Sequence, residues 1–233
     1  MDRLGKRKVV VADICNTLFD SNTTYDFIKY CIRTGRLSPI NRHIYNILLS
    51  RKSPLYWLIA INEKVFKKDL FKVLVVKFLK GCKVDAVQKW SDDFFNDYLT
   101  KRAISPTLLL LKNFNSADVI LISSTLRPIA ASIAKNIGFA NFLATELEVE
   151  NNVYTGNIQH ELSGRKLEAL RIYAGAGVDV DVVISDNYTD LELMKYSRES
   201  YAVCYNEKQE KFWSQLPQVS ILKIAPETLY IDK

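Results

Sequence analysis

Three segments of this chain share one pattern, a run of aliphatic and mostly β-branched residues that stops abruptly in a small polar or acidic cluster. They are KVVVADICNT, ADVILISSTL and VDVVISDNYTD. Unbroken apolar runs, as opposed to alternating ones, suit strands buried on both faces, as in a parallel sheet covered by helices. Each such strand delivers its polar cluster to the carboxyl edge of the sheet, where open α/β sheets bind ligands. Helical patterns follow the second and third runs (RPIAASIAKNIGF and DLELMKYS), giving the strand-helix alternation of a doubly wound α/β fold.

Between about residue 20 and residue 105 the pattern changes to helix-like stretches with interleaved aromatics and lysines, which reads as a helical insertion. Ser105-Pro106 marks its end, since proline is favoured in a first helical turn. Farther on, ATELEVE, then Asn151-Asn152, then VYTGNI reads as a β-hairpin, because Asn tolerates the positive φ angles of tight hairpin turns.

The composition, 48% hydrophobic and 25% charged with 8 Gly and 6 Pro, excludes a disordered or fibrous chain. Apolar runs such as PLYWLIAI and FKVLVVKFL are broken well before the roughly 20 residues of a spanning helix. The basic N-terminus reaches Asp13 within a few residues and shows no small-residue cleavage site. Cys15, Cys31, Cys82 and Cys204 are scattered without zinc-like spacing, so reduced thiols and a cytoplasmic setting are expected. The net charge of +6 is uneven: Lys29 to Lys83 holds 13 basic residues against Glu63 and Asp69, or +11, leaving −5 elsewhere.

Four clusters could carry chemistry. Asp13, Cys15, Asn16 and Thr17 follow the first strand, where a carboxylate can be a nucleophile, hold a cation or simply cap a helix. Ser123, Ser124 and Thr125 follow the second and could cradle a phosphate or serve as an ordinary cap. Lys166, after a Gly-led loop, could neutralise an anion or be a solvated helix lysine. Asp186 and Asp190 form a DxxxD pair able to face one hard cation. His43 and His160 have no partner at metal spacing and read as structural or surface residues.

Taken in order, strand-Asp, strand-Ser, Lys and strand-DxxxD resembles the four-motif signature of the haloacid dehalogenase superfamily. Its phosphoserine-phosphatase-like branch is similar in carrying a helical cap soon after the first motif, a hairpin with a TG step (Thr155-Gly156) and an SDxxxD-like motif (Ser185 to Asp190). The resemblance implies a Rossmann-like doubly wound parallel sheet, built from 1–19 and 106–233, with an inserted helical cap domain at 20–105. It implies a magnesium-dependent phosphomonoester hydrolase in which Asp13 is transiently phosphorylated, Ser123 binds the phosphoryl oxygens and Lys166 neutralises them. Ser124 belongs to the same substrate-binding cluster. Magnesium would rest on Asp13, the main-chain carbonyl of Cys15 and Asp186, with Asp190 supporting that shell. The retained DxxxD pair and the cap favour phosphate chemistry over dehalogenation.

One departure matters. Where the family's DxDxT motif has its second Asp, which protonates the leaving group and then activates water, this chain has Cys15. The alternative function is therefore a slow or inactive phosphate-binding or phosphotransfer protein on the same fold. The implied partner is a small phosphorylated substrate, towards which a basic cap would steer anions. A module binding nucleic acid or a membrane surface through that cap ranks last: no nucleic-acid motif is present, although RKSPLYWLIAINEKVFKK has interfacial composition.

Overall fold

The computed structural model describes residues 8–66 and 69–224. The expected core's two ends, 1–7 and 225–233, and Lys67 and Lys68 of the basic segment lie outside the described residues. The chain runs β1 (Val10–Ala12), α1 (Thr23–Arg33), α2 (Ile40–Leu49), α3 (Pro54–Phe66), α4 (Leu70–Val76), α5 (Val84–Asp97), α6 (Ser105–Leu111) and β2 (Val119–Leu126). It continues with α7 (Arg127–Ile137), β3 (Asn141–Glu150), β4 (Val153–His160), α8 (Lys166–Ala174), β5 (Val182–Ser185), α9 (Leu191–Tyr196), β6 (Glu199–Cys204), α10 (Glu207–Trp213) and β7 (Val219–Lys223).

Seven strands form one sheet in the order β4-β3-β2-β1-β5-β6-β7, parallel throughout except for the β3–β4 hairpin. The expected α/β doubly wound fold is present. Every residue of β1 and β5 is buried, as continuous apolar runs require. One sheet face packs Val10, Ala12, Leu121 and Ile184 with Phe27, Ile28, Phe94 and Leu99 from the inserted helices. The other packs Val11, Ile122, Val183 and Leu170 with Met194 and Trp213. From β1 the chain steps outward through β2 and β3, then returns to β1's other side as β5. The carboxyl end of β1 is thus the topological switch point, where neighbouring loops diverge and leave a crevice.

Two strands escaped the sequence reading. In β6 and the edge strand β7 burial is incomplete, so neither presents the unbroken apolar run that marks β1, β2 and β5. The hairpin forms as expected, turning through Asn151 (φ +49°) and Asn152 (φ +62°), but β3 also pairs in parallel with β2 and so joins the main sheet. Helix α7 stops at Gly138, whose φ of +83° suits a left-handed cap.

The inserted helices meet the sheet region at three places. The chain leaves and returns side by side, with Asp20 N–H donating to the Arg102 carbonyl (2.8 Å) and Ile104 N–H to that of Leu18 (2.9 Å). Residues 81–84 hydrogen-bond along β4, and Gly156 in the TG step lies so close that a Cβ there would sit 2.9 Å from Lys80 Cβ. Finally, Lys72 of α4 is buried and reaches the Ser124 carbonyl, Thr145 Oγ1 (3.0 Å) and Glu161 Oε1 (2.8 Å). All four cysteines are free thiols, and among the described residues no helix is long and apolar enough to cross a membrane.

Candidate active site

β1 ends at Ala12, and the loop that follows holds itself in shape with backbone bonds. Thr17, Leu18 and Phe19 N–H donate to the Ile14 carbonyl, while Asn16, at φ +51°, turns the chain and donates to the Phe19 carbonyl (2.8 Å). Asn is among the few residues that accept this conformation cheaply. The Asn16 carbonyl in turn accepts from Tyr205 Oη (2.5 Å), just beyond the end of β6. Asp13 is thereby fixed on a rigid turn at the switch point, with only 4% of its surface exposed.

Lys166, the first residue of α8, places Nζ 2.9 Å from Asp13 Oδ1 and 2.6 Å from Asp190 Oδ2, the latter also accepting from Ser185 Oγ (2.6 Å). Burial alone would make this ammonium easier to deprotonate, but Asp13 and then Asp190 more than reverse that, and its pKa rises. Asp13 also moves upward: burial outweighs the pull of Lys166, and Asp190 adds repulsion. Asp186, at the end of β5, is bound to Thr17, whose hydroxyl donates to Oδ1 and accepts from the Asp186 N–H, both at 3.1 Å. Burial first and the Asp13 charge second push the Asp186 carboxyl up to about 7. Asp13 and Asp190 therefore share one ammonium, and the Asp186 carboxyl stands near enough to feel the Asp13 charge.

The Cys15 side chain meets two hydroxyl groups. Its sulfur lies 3.0 Å from Thr23 Oγ1 at the start of α1 and accepts from Ser123 Oγ at 3.8 Å. Thr23 donates onward to Thr125 Oγ1 (2.5 Å), which leaves its oxygen to accept the Cys15 S–H. Burial, reinforced by the Asp13 charge, raises the thiol's pKa from its ordinary value, so it stays protonated at neutral pH.

This constellation lies inside residues 10–195, which match a family described as haloacid dehalogenase-like hydrolase. The chain belongs to the haloacid dehalogenase-like hydrolases. Among curated protein sequences none matches it. In fold it is similar to a protein of unknown function from Bordetella pertussis Tohama I, at 18% identity and TM-score 0.76 over 92% of this chain and 98% of that one. A phosphoserine phosphohydrolase-like protein from Francisella tularensis subsp. tularensis SCHU S4 is similar at 17% identity and TM-score 0.56, covering 91% and 94%. A phosphoserine phosphatase captured as a phospho-aspartyl intermediate analogue follows at 15% identity and TM-score 0.51, covering 94% and 93%. At such identities the likeness is one of fold.

In this haloacid dehalogenase-like hydrolase, Asp13, Lys166, Asp186 and Asp190 converge at the sheet's carboxyl edge. Ser123 stands beside Cys15, whereas strand alternation sends the Ser124 side chain to the opposite face of β2, and it is the Ser124 carbonyl that Lys72 holds. Asp190 spends Oδ2 on Lys166 and Ser185, while its Oδ1 is buried without a hydrogen-bond partner among the described residues. Sequence reasoning missed Thr23, Lys72, Glu161 and Tyr205. Only Lys72 carried a signal, a lone lysine inside the apolar run LFKVLVV, which demands a buried partner.

The Lys166 contacts give a sharp expectation. Lys166→Met leaves two buried carboxylates without their cation and should cost about 3–5 kcal/mol of stability at neutral pH. Burial already drives the Asp13 carboxyl upward against the pull of Lys166, so without the ammonium the loss should shrink as pH falls below the unfolded carboxyl range. Urea unfolding at neutral and acidic pH measures this, and an unchanged neutral-pH stability would contradict the ion cluster described here.

Proposed function

We propose that this chain is a magnesium-dependent phosphomonoester hydrolase that moves a phosphoryl group from a small phosphorylated substrate to Asp13 and then to water. The observation that carries this reading is the buried Asp13 carboxylate on a rigid turn at the switch point, 2.9 Å from an ammonium that Asp190 holds in place. Phosphoryl transfer asks mainly for in-line positioning and positive charge around the equatorial oxygens. Lys166 supplies one cation, and Ser123 is a hydroxyl donor to the phosphoryl oxygens. Asp13 Oδ attacks phosphorus as the ester P–O bond breaks, and the leaving oxygen takes a proton. Water then attacks the acyl phosphate, the Asp13 O–P bond breaks, and phosphate departs. The phospho-aspartyl analogue captured in a phosphoserine phosphatase of this fold supports the same route here.

The residues fit a hard cation. Burial drives both the Asp13 and the Asp186 carboxyls upward, helped by the Asp190 charge at Asp13 and by the Asp13 charge at Asp186, a conflict that a bound cation relieves. Among the described residues no three His, Cys, Asp or Glu side chains cluster as a metal cage. Two carboxylates plus the Cys15 carbonyl suit magnesium, which commonly uses one or two carboxylates and completes its shell with substrate phosphate and water. Bound there, magnesium would neutralise charge developing on the transferring group. Asp190, occupied by Lys166 and Ser185, is assigned to hold the lysine. Residues 20–105 act as the cap over a core of 1–19 and 106–233, with Lys72 joining the two.

A second reading is favoured by Cys15. A protonated, raised-pKa thiol can donate to a leaving group but is a poor base for water, so a phosphate-binding or phosphotransfer protein with little hydrolysis follows from the same site. Phosphate release from a panel of phosphomonoesters, with magnesium and with chelator, tests the main reading; magnesium-dependent ligand binding without release would favour the second.

Asp186 also gives a pH test. Its folded pKa of about 7 exceeds the unfolded value of about 3.9, so its contribution favours folding below that value and fades as pH rises through 7. Because metal competes with that proton, magnesium should raise the unfolding temperature more at about pH 8 than at about pH 5. An equal shift at both would remove Asp186 from the metal site.

A further inference from the structure

The outer helices of the insertion expose apolar side chains. On α3, Trp57, Leu58, Ile61 and Val65 are 56–67% exposed. Their spacing of three and four residues puts them on one stripe, turned away from the side where Ile59 packs with Leu48 and Phe71. Helix α3 is thus apolar on its packed and its open sides, a property of helices that are covered all round. The neighbouring α2 adds Ile40, Ile44 and Ile47, again exposed and at helical spacing.

Charge identifies the occupant. From Phe27 to Asn62 the sequence holds six Lys or Arg and no Asp or Glu. Arg42, Arg51 and Lys52 are exposed and form no ion pair among the described residues. Arg51 and Lys52 sit in the turn between the two helices, and the Arg51 carbonyl accepts from Trp57 Nε1 (2.9 Å), which satisfies the indole while its ring stays outside. A second copy docking through the same face would set these cations against one another. An anionic bilayer surface complements both features: apolar side chains and an indole enter the interfacial region while the basic residues meet the headgroups.

We infer that the α2–α3 face docks the protein on an anionic lipid bilayer, lying in the interface without crossing it. This reverses the low rank given to membrane contact from sequence. The interaction is independent of turnover, so retention on vesicles tests it whatever the catalytic outcome.

The native chain is expected to co-sediment with vesicles of phosphatidylcholine and phosphatidylglycerol at least about tenfold more strongly than with phosphatidylcholine alone, and less so as salt rises. Trp57→Ser with Ile61→Ser, and separately Arg51→Glu with Lys52→Glu, should each weaken retention by a similar factor while the chain stays folded, since all four residues are exposed. Failure of the native chain to bind anionic vesicles, equal binding to neutral ones, or unaltered binding by both double variants overturns the inference. So does a native dimer, measured by sedimentation equilibrium, that Trp57→Ser with Ile61→Ser splits; that result would give the face to a second copy.

Discussion

Asp13→Asn is expected to abolish phosphate release, by on the order of 10⁴-fold or more, because the neutral amide cannot act as the attacking carboxylate. The folded state should not suffer. Asn is nearly isosteric, keeps an oxygen for Lys166 and removes a charge whose burial already drives the Asp13 carboxyl upward. The sign follows from linkage: a carboxyl with its folded pKa above the unfolded value costs stability at neutral pH, and the amide does not. Activity should therefore vanish while the unfolding temperature stays level or rises. Acid quenching during turnover should trap label on the native chain and none on the variant. Phosphate release persisting in Asp13→Asn would sink the covalent route.

The contrast between what the sequence revealed and what it hid has a physical basis. Asp13 and Asp186 were legible because each sits just past a buried strand, where an apolar run stops at a polar residue, and Lys166 and Asp190 because each opens a helix after a polar loop in the expected order. The doubly wound order was legible for the same reason. Thr23 and Lys72 were not, because they meet the site across the insertion, 102 and 52 residues from their partners Thr125 and Ser124. No local period records such a meeting. For Ser124 the sequence showed only the cluster it shares with Ser123 and Thr125; the alternation of β2 sends its side chain to the other face, with its carbonyl held by Lys72. The exposed apolar stripe of the α2–α3 face was not legible either, since a basic, aromatic segment reads as a solvated lysine face and only the packing decides which apolar residues remain outside.

Cys15→Asp should raise steady-state phosphate release by about 10²- to 10⁴-fold, the usual worth of general acid-base assistance. The two half-reactions place different demands on residue 15. Forming the acyl phosphate needs a proton for the leaving oxygen, which the thiol holds and directs at Thr23, 3.0 Å away. Breaking it needs a base for the attacking water, and a buried thiol beside Asp13, with its pKa raised, is not one at neutral pH. The native chain should then show a burst of about one leaving group per site followed by slow phosphate release, since the second half-reaction limits turnover. In Cys15→Asp the burst should disappear as the steady rate climbs. That gain has a structural cost, because a further carboxyl is set beside Asp13 with no cation of its own. The metal-free variant should accordingly unfold at a lower temperature than the native chain at neutral pH, with the difference narrowing on acidification as the new carboxyl is protonated. A native chain without a burst, together with no gain in the variant, would show that residue 15 does not control the hydrolytic step.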